Sequence, residues 1–211
     1  MIIDNADLNR TELQGRVAVV TGAGRGIGKE TARILAYLRA SVVIAEINDT
    51  GRETEQMIRA EGGQALFVKT DVSDPSSMEH LHQQILETFG DVDILVNNAV
   101  AFIPRPVLEF SVEEWDRIIA VNLRGAFLSI KTFLPRMLQR SKGVIITMGS
   151  AEAMPYMAPY SASKEGLRSL APSLAQEVGE QSGVAVYCFG AGLVETPGMA
   201  QATRKLAPLY G

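Results

Sequence analysis

The sequence predicts an α/β fold, a doubly wound parallel sheet of six strands with helices on both faces. Short, continuously apolar segments rich in Val and Ile alternate six times with longer segments whose apolar residues recur at helical spacing. Continuously apolar strands indicate a parallel sheet that is covered on both faces, and parallel strands require crossover connections, here the intervening helices. Right-handed crossovers then give the doubly wound arrangement.

The first half of the chain supplies three strands and three helices. Strands are predicted at residues 17–21, 42–45 and 66–68, and helices at 26–40, 49–61 and from Asp74 to Gly90. Gly62 and Gly63 end the second helix, because glycine readily adopts the left-handed conformation that follows a helix. Asp74 and Pro75 predict the N-cap and the first residue of the third helix.

The second half continues the alternation. Strands are predicted at 94–96, 144–147 and 184–189, with helices at 112–139 and 159–180. Ser111 and Glu114 have capping-box spacing at the start of the first of these helices. Polar or glycine residues follow the carboxyl ends of the strands, which is where ligands bind in such a sheet. They are Gly22, Glu46, Asp71, Asn98, Ser150 and Gly192.

Length and composition favour one domain over residues 1–211, with a polar lead-in at 1–15 and a tail at 193–211. The 211 residues are 46% hydrophobic, and the net charge of -4 provides no basic excess for nucleic acid or an anionic membrane. Acidic residues stand near the start, where a signal peptide needs positive charge. Cys188 is the single cysteine, so no intrachain disulfide is possible. We expect a cytoplasmic protein with no nucleic-acid or membrane partner.

A glycine cluster follows the first strand and opens the first helix. Gly22, Gly26 and Gly28 surround Arg25 and Ile27. Unpaired N–H groups and the helix dipole favour an anion at such a helix start, and glycine permits close approach of a pyrophosphate. The segment therefore predicts a phosphate-binding loop.

Two residues bear on which dinucleotide would bind. Glu46 ends the second strand, 18 residues after Gly28, where a carboxylate can accept both hydroxyls of an adenosine ribose and repel a 2′-phosphate. The Arg25 guanidinium could instead bind a 2′-phosphate. We give Glu46 the greater weight and expect NAD, with NADP as the alternative.

Tyr160 and Lys164 carry the strongest chemical signal. Residues four apart lie on one face of a helix. A lysine ammonium beside a phenol favours the phenolate, which makes tyrosine a usable acid or base nearer neutrality. The pair lies in the helix that follows the fifth strand, on the same side as the glycine loop.

With these motifs the sequence resembles the short-chain dehydrogenase/reductase family, of the soluble type that includes the β-ketoacyl reductases. The resemblance covers roughly residues 15–199 and implies a Rossmann-like fold. It rests on several motifs in the same order: Thr21, Gly22, Gly26 and Gly28; Asp71 and Val72; Asn97, Asn98 and Ala99; Asn122; Ser150; Tyr160 and Lys164; Gly192 and Thr196.

The resemblance implies a role for each catalytic position. Tyr160 would exchange a proton with the substrate oxygen while a hydride moves to or from the nicotinamide. Lys164 would hold the nicotinamide ribose and act on Tyr160, and Ser150 would hydrogen-bond the substrate oxygen. Asn122 would place a water that links Lys164 to solvent. No metal is implied.

The resemblance also implies a set of cofactor-binding residues along the ends of the strands. Asp71 and Val72 would contact the adenine, Asn98 and Ala99 the adenosine ribose, and Val194 and Thr196 the carboxamide. The remaining positions are the loop residues Gly22, Arg25, Gly26, Ile27 and Gly28, with Glu46, Tyr160, Lys164 and Gly192.

The chain departs from the family pattern at places that bear on turnover. Val100 replaces the glycine that usually follows Asn-Asn-Ala, and only ten residues separate Ser150 from Tyr160, three fewer than usual. By count Thr147 has the usual spacing, but its position indicates a strand interior. The resemblance as a whole leads us to expect a dehydrogenase or reductase acting on a small or medium alcohol or ketone. The alternative is a nucleotide-binding protein with little or no turnover.

The resemblance also implies a seventh strand and a helical lid over the substrate. Only residues 193–211 follow the sixth strand, so we expect no seventh strand, an edge at 184–189 and an incomplete, partly ordered tail. We further expect a homodimer formed by the two long helices, 112–139 and 159–180, rather than a tetramer.

Overall fold

The computed structural model describes residues 11–150, 154–192 and 194–210. Most of the predicted lead-in, residues 1–10, lies outside the described residues, as do Leu193 and Gly211 of the predicted tail.

The six predicted strands form one parallel sheet, in the order β3-β2-β1-β4-β5-β6. The prediction of a doubly wound, Rossmann-like fold is therefore confirmed, because the order reverses between β1 and β4. Among the described residues β6 is the last strand at its side of the sheet, as predicted. The strands are β1 Val17–Thr21, β2 Ser41–Glu46, β3 Gln64–Lys69, β4 Ile94–Asn97, β5 Gly143–Met148 and β6 Val184–Phe189.

Seven α-helices are present in the described residues. Two local predictions hold: Asp74 accepts a hydrogen bond from the Ser76 N–H at 3.0 Å, and Ser111 and Glu114 form a capping box. The helices are α1 Gly26–Tyr37, α2 Thr50–Ala60, α3 Pro75–Thr88, α4 Val112–Ile119, α5 Gly125–Gln139, α6 Ala158–Val178 and α7 Pro197–Tyr210.

A hydrophobic core lies on each face of the sheet. On one face Leu95 of β4 packs with Leu81 of α3 and Phe133 of α5. On the other face Ile44 of β2 packs with Ile58 of α2 and the alanine-rich side of α1. Strand residues alternate between the two faces, so a strand covered on both sides must be apolar throughout.

The long helix predicted at 112–139 is interrupted, which corrects the prediction of a continuous helix. Residues 120–124 form a π-helical turn between α4 and α5, and the Gly125 N–H donates to the Ala120 carbonyl. Hydrophobic periodicity does not reveal this turn, because buried apolar residues continue on both sides of it, at Ile118 before the turn and at Ala126 and Ile130 after it. A π-turn in a helix often marks a functional site.

The helical run Val112–Gln139 has the length and composition of a membrane span. Its apolar residues nevertheless serve the protein core, since Ile118, Ile130, Phe133 and Met137 are buried within the fold. Core helices of globular domains meet the same criterion.

Within the tail, residues Pro197–Tyr210 form α7, a helix that the sequence analysis did not predict. In α7 Ala202 and Leu206 are buried, and the Tyr210 hydroxyl donates to the Pro155 carbonyl at 3.4 Å. The rings of Tyr156 and Tyr210 meet edge to face at 5.3 Å. The tail helix therefore contacts the turn that precedes α6, while Tyr187 and Phe189 at the β6 edge remain more than half exposed.

Candidate active site

Hydrogen bonds fix the carboxyl ends of β1 and β4 beside each other. The Thr21 hydroxyl accepts from the backbone N–H groups of Asn98 and Ala99, both at 3.0 Å. The Asn98 carboxamide donates to the carbonyls of Thr21 and Gly22 at 2.9 and 3.0 Å. The Asn98 side chain thus braces the glycine loop, and Ala99 lies against it.

The glycine loop is shaped for close approach of the backbone. Gly22 and Gly26 have φ values of +66° and +56°. A Cβ on Gly28 would lie 2.4 Å from the Gly22 carbonyl oxygen, so no side chain fits there. The start of α1 has no side-chain cap and no acidic residue in its first turn, and Arg25 at the N-cap is exposed. The backbone N–H groups at the start of α1, that of Ile27 among them, fit the pyrophosphate of a dinucleotide.

Glu46 lies buried at the end of β2, against the glycine loop. Its Oε2 accepts from the Gly24 N–H at 3.1 Å, and its Oε1 accepts from the backbone and side-chain N–H groups of Asn48, each at 3.1 Å. A Cβ on Gly24 would come within 3.0 Å of the carboxylate. The structure therefore places the predicted ribose-binding carboxylate at the loop, although its bond to Gly24 was not predicted.

The predicted adenine contacts follow β3. Asp71 Oδ1 accepts from the Ser73 backbone N–H at 2.9 Å and from its hydroxyl at 2.6 Å. Val72 is buried against Gly125, where a Cβ would lie 2.8 Å from the Val72 methyl. Gly125 therefore lets α5 approach this segment closely.

Ser150 and Tyr160 meet, despite the short spacing between them. The Tyr160 hydroxyl donates to Ser150 Oγ across 3.3 Å. The Phe102 ring contacts the Tyr160 ring edge to face, with 5.0 Å between centroids. Thr147, the alternative by count, is fully buried in β5 and donates to the Tyr187 carbonyl. Ser150 is thus the hydroxyl that accompanies Tyr160.

Lys164 is buried behind Tyr160. Its Nζ donates to the Met148 carbonyl at 2.6 Å and lies 5.7 Å from the centroid of the Tyr160 ring. Burial lowers the pKa of Lys164 to about 8, and the interaction with Cys188 opposes this shift. A lysine with such a pKa exchanges protons near neutral pH, which an ordinary lysine does not.

Asn122 lies in the π-turn and joins three segments of the site. Its Oδ1 accepts from the Ala101 N–H at 2.7 Å, and its Nδ2 donates to the Ala101 carbonyl and to Ser163 Oγ. The Ser163 hydroxyl in turn donates to the Tyr160 carbonyl at 2.6 Å. Both amide hydrogens are used, so a water placed by Asn122 for Lys164 must bind its backbone or the second lone pair of Oδ1.

The segment after β6 returns to the glycine loop. Gly192 has a φ of +65°, and a Cβ on Gly26 would lie 3.4 Å from the Thr196 side chain. Thr196 Oγ1 accepts from the Met199 N–H at 3.0 Å, and Val194 is exposed. Of the two predicted carboxamide contacts, Thr196 thus lies near the phosphate loop.

Sequence reasoning missed three residues that shape the site: Gly24, Phe102 and Ser163. Gly24 and Ser163 act through partners far away in the chain, which local patterns do not reveal. For Phe102 the only signal is an aromatic residue in a loop that contains two prolines. In the described part of the chain, no group of three or more His, Cys, Asp or Glu side chains could hold a metal ion.

Comparisons with known proteins agree with this geometry. The sequence model of the family described as short chain dehydrogenase matches residues 16–207. An uncharacterized oxidoreductase of Thermotoga maritima is 42% identical over 188 residues, covering 87% of this chain and 73% of the relative. A D-beta-hydroxybutyrate dehydrogenase of Rhizobium meliloti is 36% identical, covering 86% and 72%. The crystal structure of a metagenomic short-chain oxidoreductase in complex with NADP has a TM-score of 0.81 and 37% identity, covering 87% and 85%.

Proposed function

The chain belongs to the short-chain dehydrogenase family, a family of oxidoreductases, and on this premise we propose that it transfers a hydride between NAD(H) and a small or medium alcohol or ketone. The observation that carries the proposal is the hydrogen bond between Tyr160 and Ser150, with the Lys164 ammonium buried behind the Tyr160 ring. The dehydrogenase names of relatives support an alcohol or ketone substrate.

In this proposal Tyr160 and Ser150 act on the substrate oxygen. The bound nicotinamide accepts a hydride from the alcohol carbon or returns it to the ketone. In the oxidation direction, the Tyr160 oxygen takes the hydroxyl proton as the carbonyl forms; in the reduction direction, it returns that proton. Ser150 Oγ, 3.3 Å from the Tyr160 oxygen, hydrogen-bonds the same substrate atom.

Lys164 supports the proton transfer from the buried side. Its pKa of about 8 makes both of its protonation states accessible near neutral pH. The bond to the Met148 carbonyl orients Nζ, which lies 5.7 Å from the centroid of the Tyr160 ring.

The preference for NAD follows from Glu46. Its buried carboxylate lies at the glycine loop, where it accepts the ribose hydroxyls of NAD and repels the 2′-phosphate of NADP. The alternative is an NADP(H)-dependent carbonyl reductase. It is supported by the NADP in the similar metagenomic structure and by the exposed Arg25 beside the loop.

A nucleotide-binding protein with little or no turnover is the second candidate. Val100, 52% exposed, follows β4 on the cofactor side in place of the usual glycine. A branched side chain there would keep the nicotinamide from its productive position.

We also propose that the protein is cytoplasmic and a homodimer through α4, α5 and α6. Val112, Trp115 and Phe127 are exposed apolar residues on α4 and α5. Light scattering at several concentrations tests the homodimer: Phe127→Lys should give a monomer where the wild type is a dimer. A wild-type protein that stays monomeric, or forms a tetramer, would contradict the proposal.

The direct test of the function is NAD- and NADP-linked turnover of a panel of alcohols and ketones, followed by nicotinamide absorbance. We expect turnover of at least one substrate, with higher kcat/KM for NAD. Turnover only with NADP would support the carbonyl reductase. Cofactor binding without turnover of any substrate would support the second candidate.

A further inference from the structure

The carboxamide of Asn97 is buried and lacks a hydrogen-bond partner among the described residues. Asn97 is the last residue of β4 and is only 6% exposed. Neither its Oδ1 nor its Nδ2 is bonded to any described group. Nearly all buried polar side chains are hydrogen-bonded, and an unsatisfied one destabilises the fold. The amide therefore indicates a ligand.

The carboxamide lines a small cavity between the end of β4 and the π-turn. Thr21 and Asn122 contribute polar groups to its wall, and Val72 and Val121 contribute apolar ones. The space open to the centre of a water molecule is about 10 Å³. One ordered water needs about that volume, together with two to four polar partners.

The polar groups of the wall differ in their remaining capacity. The Thr21 hydroxyl donates to the Val96 carbonyl and accepts two N–H groups, so it is saturated. Asn122 uses both amide hydrogens, but its Oδ1 accepts only from Ala101 and keeps a second lone pair. A water between the two asparagines can accept from Asn97 Nδ2 and donate to Asn122 Oδ1.

We propose that this cavity is a binding site for one ordered water that joins Asn97 to Asn122. The water links β4, whose end lies beside the glycine loop, to the π-turn, whose Asn122 holds Ala101 and Ser163. This link does not depend on the reaction that the protein catalyses, because it follows from the buried amide and the cavity alone.

A high-resolution crystal structure of the full chain tests the proposal, with Asn97→Leu and Thr147→Val as a matched pair. Thr147 is the residue paired with Asn97 on β5, and it is buried, but its hydroxyl is bonded to the Tyr187 carbonyl. We expect one water about 2.7–3.2 Å from both asparagines in the wild type and in Thr147→Val. Asn97→Leu should lose it.

A solution measurement on the wild type alone keeps the test independent of how the variants fold. The Asn97 side-chain amide hydrogens should show a nuclear Overhauser effect to a long-lived water. The Asn98 amide hydrogens should not, because both donate to backbone carbonyls. An empty cavity, a carboxamide turned to a protein acceptor, a water that persists in Asn97→Leu, or no effect at Asn97 would overturn the proposal.

Discussion

Replacing Lys164 with methionine should change how the stability of the protein depends on pH. Lys164 is 5% exposed, and burial lowers its pKa from the ordinary 10.5 to about 8. Methionine has a similar length and no charge. Burying the Lys164 ammonium therefore lowers the free energy of unfolding of the wild type, and the methionine variant lacks this effect.

The pKa difference sets the magnitude. Between pH 8 and 10.5 the unfolded chain holds a proton on Lys164 that the folded chain has lost, so stability rises with pH in this window. Below pH 8 both states are protonated and the cost is fully present, about 3 kcal/mol from the difference of 2.5 units in the pKa. Between pH 7 and pH 10 the free energy of unfolding of the wild type should rise by about 2.5 kcal/mol more than that of the variant.

Urea unfolding at pH 7, 8, 9 and 10 measures this difference. Both proteins should carry Cys188→Ala, because a charge on Cys188 acts on Lys164. The methionine variant also loses the bond to the Met148 carbonyl, which both the ammonium and the neutral amine of Lys164 can donate, so the wild type keeps this bond at every pH. A stability gap that stays constant from pH 7 to pH 10 would refute the depressed pKa.

Two further predictions concern the cofactor and the tyrosine. Glu46→Ala should weaken NAD binding by about tenfold or more, because a hydrogen bond to a charged group is lost, while NADP binding holds or improves. Calorimetry with both cofactors measures this, with Glu46→Gln as the uncharged control. An unchanged affinity of Glu46→Ala for NAD would contradict the prediction. Phe102→Ala should lower kcat about 3- to 10-fold by releasing the Tyr160 ring, since an aromatic pair contributes about 0.5–1.5 kcal/mol. The control Phe102→Tyr should retain the rate. Steady-state kinetics that show no loss of kcat in the alanine variant would contradict a positioning role for Phe102.

Local signals in the sequence were sufficient for the sheet and for most helix starts. β1 and the start of α1 agree with the prediction, because an apolar strand, a glycine loop and a helical face follow one another within a few residues. The caps at Asp74 and Ser111 could likewise be predicted, since a cap bonds N–H groups only two or three residues away.

Features that depend on distant partners could not be predicted. The π-turn at 120–124 leaves the apolar pattern of the flanking helices intact. The residues that bond to Asn122 within the turn, Ala101 and Ser163, lie about 20 and 40 residues from it in the chain. The tail helix was not predicted, and Pro197, Gly198 and Pro208 stand in this part of the sequence. Proline is nevertheless favoured at the first helical position, and α7 begins at Pro197.

The site was predicted in part. The positions of Glu46 and Ser150 follow from the rule that functional residues lie at or beyond the carboxyl ends of the strands, and that of Tyr160 follows from its spacing to Lys164 in the helix after the fifth strand. The meeting of Ser150 with Tyr160 across a shortened loop depends on where α6 begins, at Ala158, and on the turn before it. Neither is encoded by spacing alone.

The measurement that tests the central claim most directly is the turnover of Tyr160→Phe beside its cofactor affinity. The Tyr160 hydroxyl carries the proton in this account, while the ring packs against Phe102. We predict that turnover falls below detection and that the dissociation constant for NAD changes by less than a few-fold. Turnover of the phenylalanine variant within a few-fold of the wild type would contradict the account.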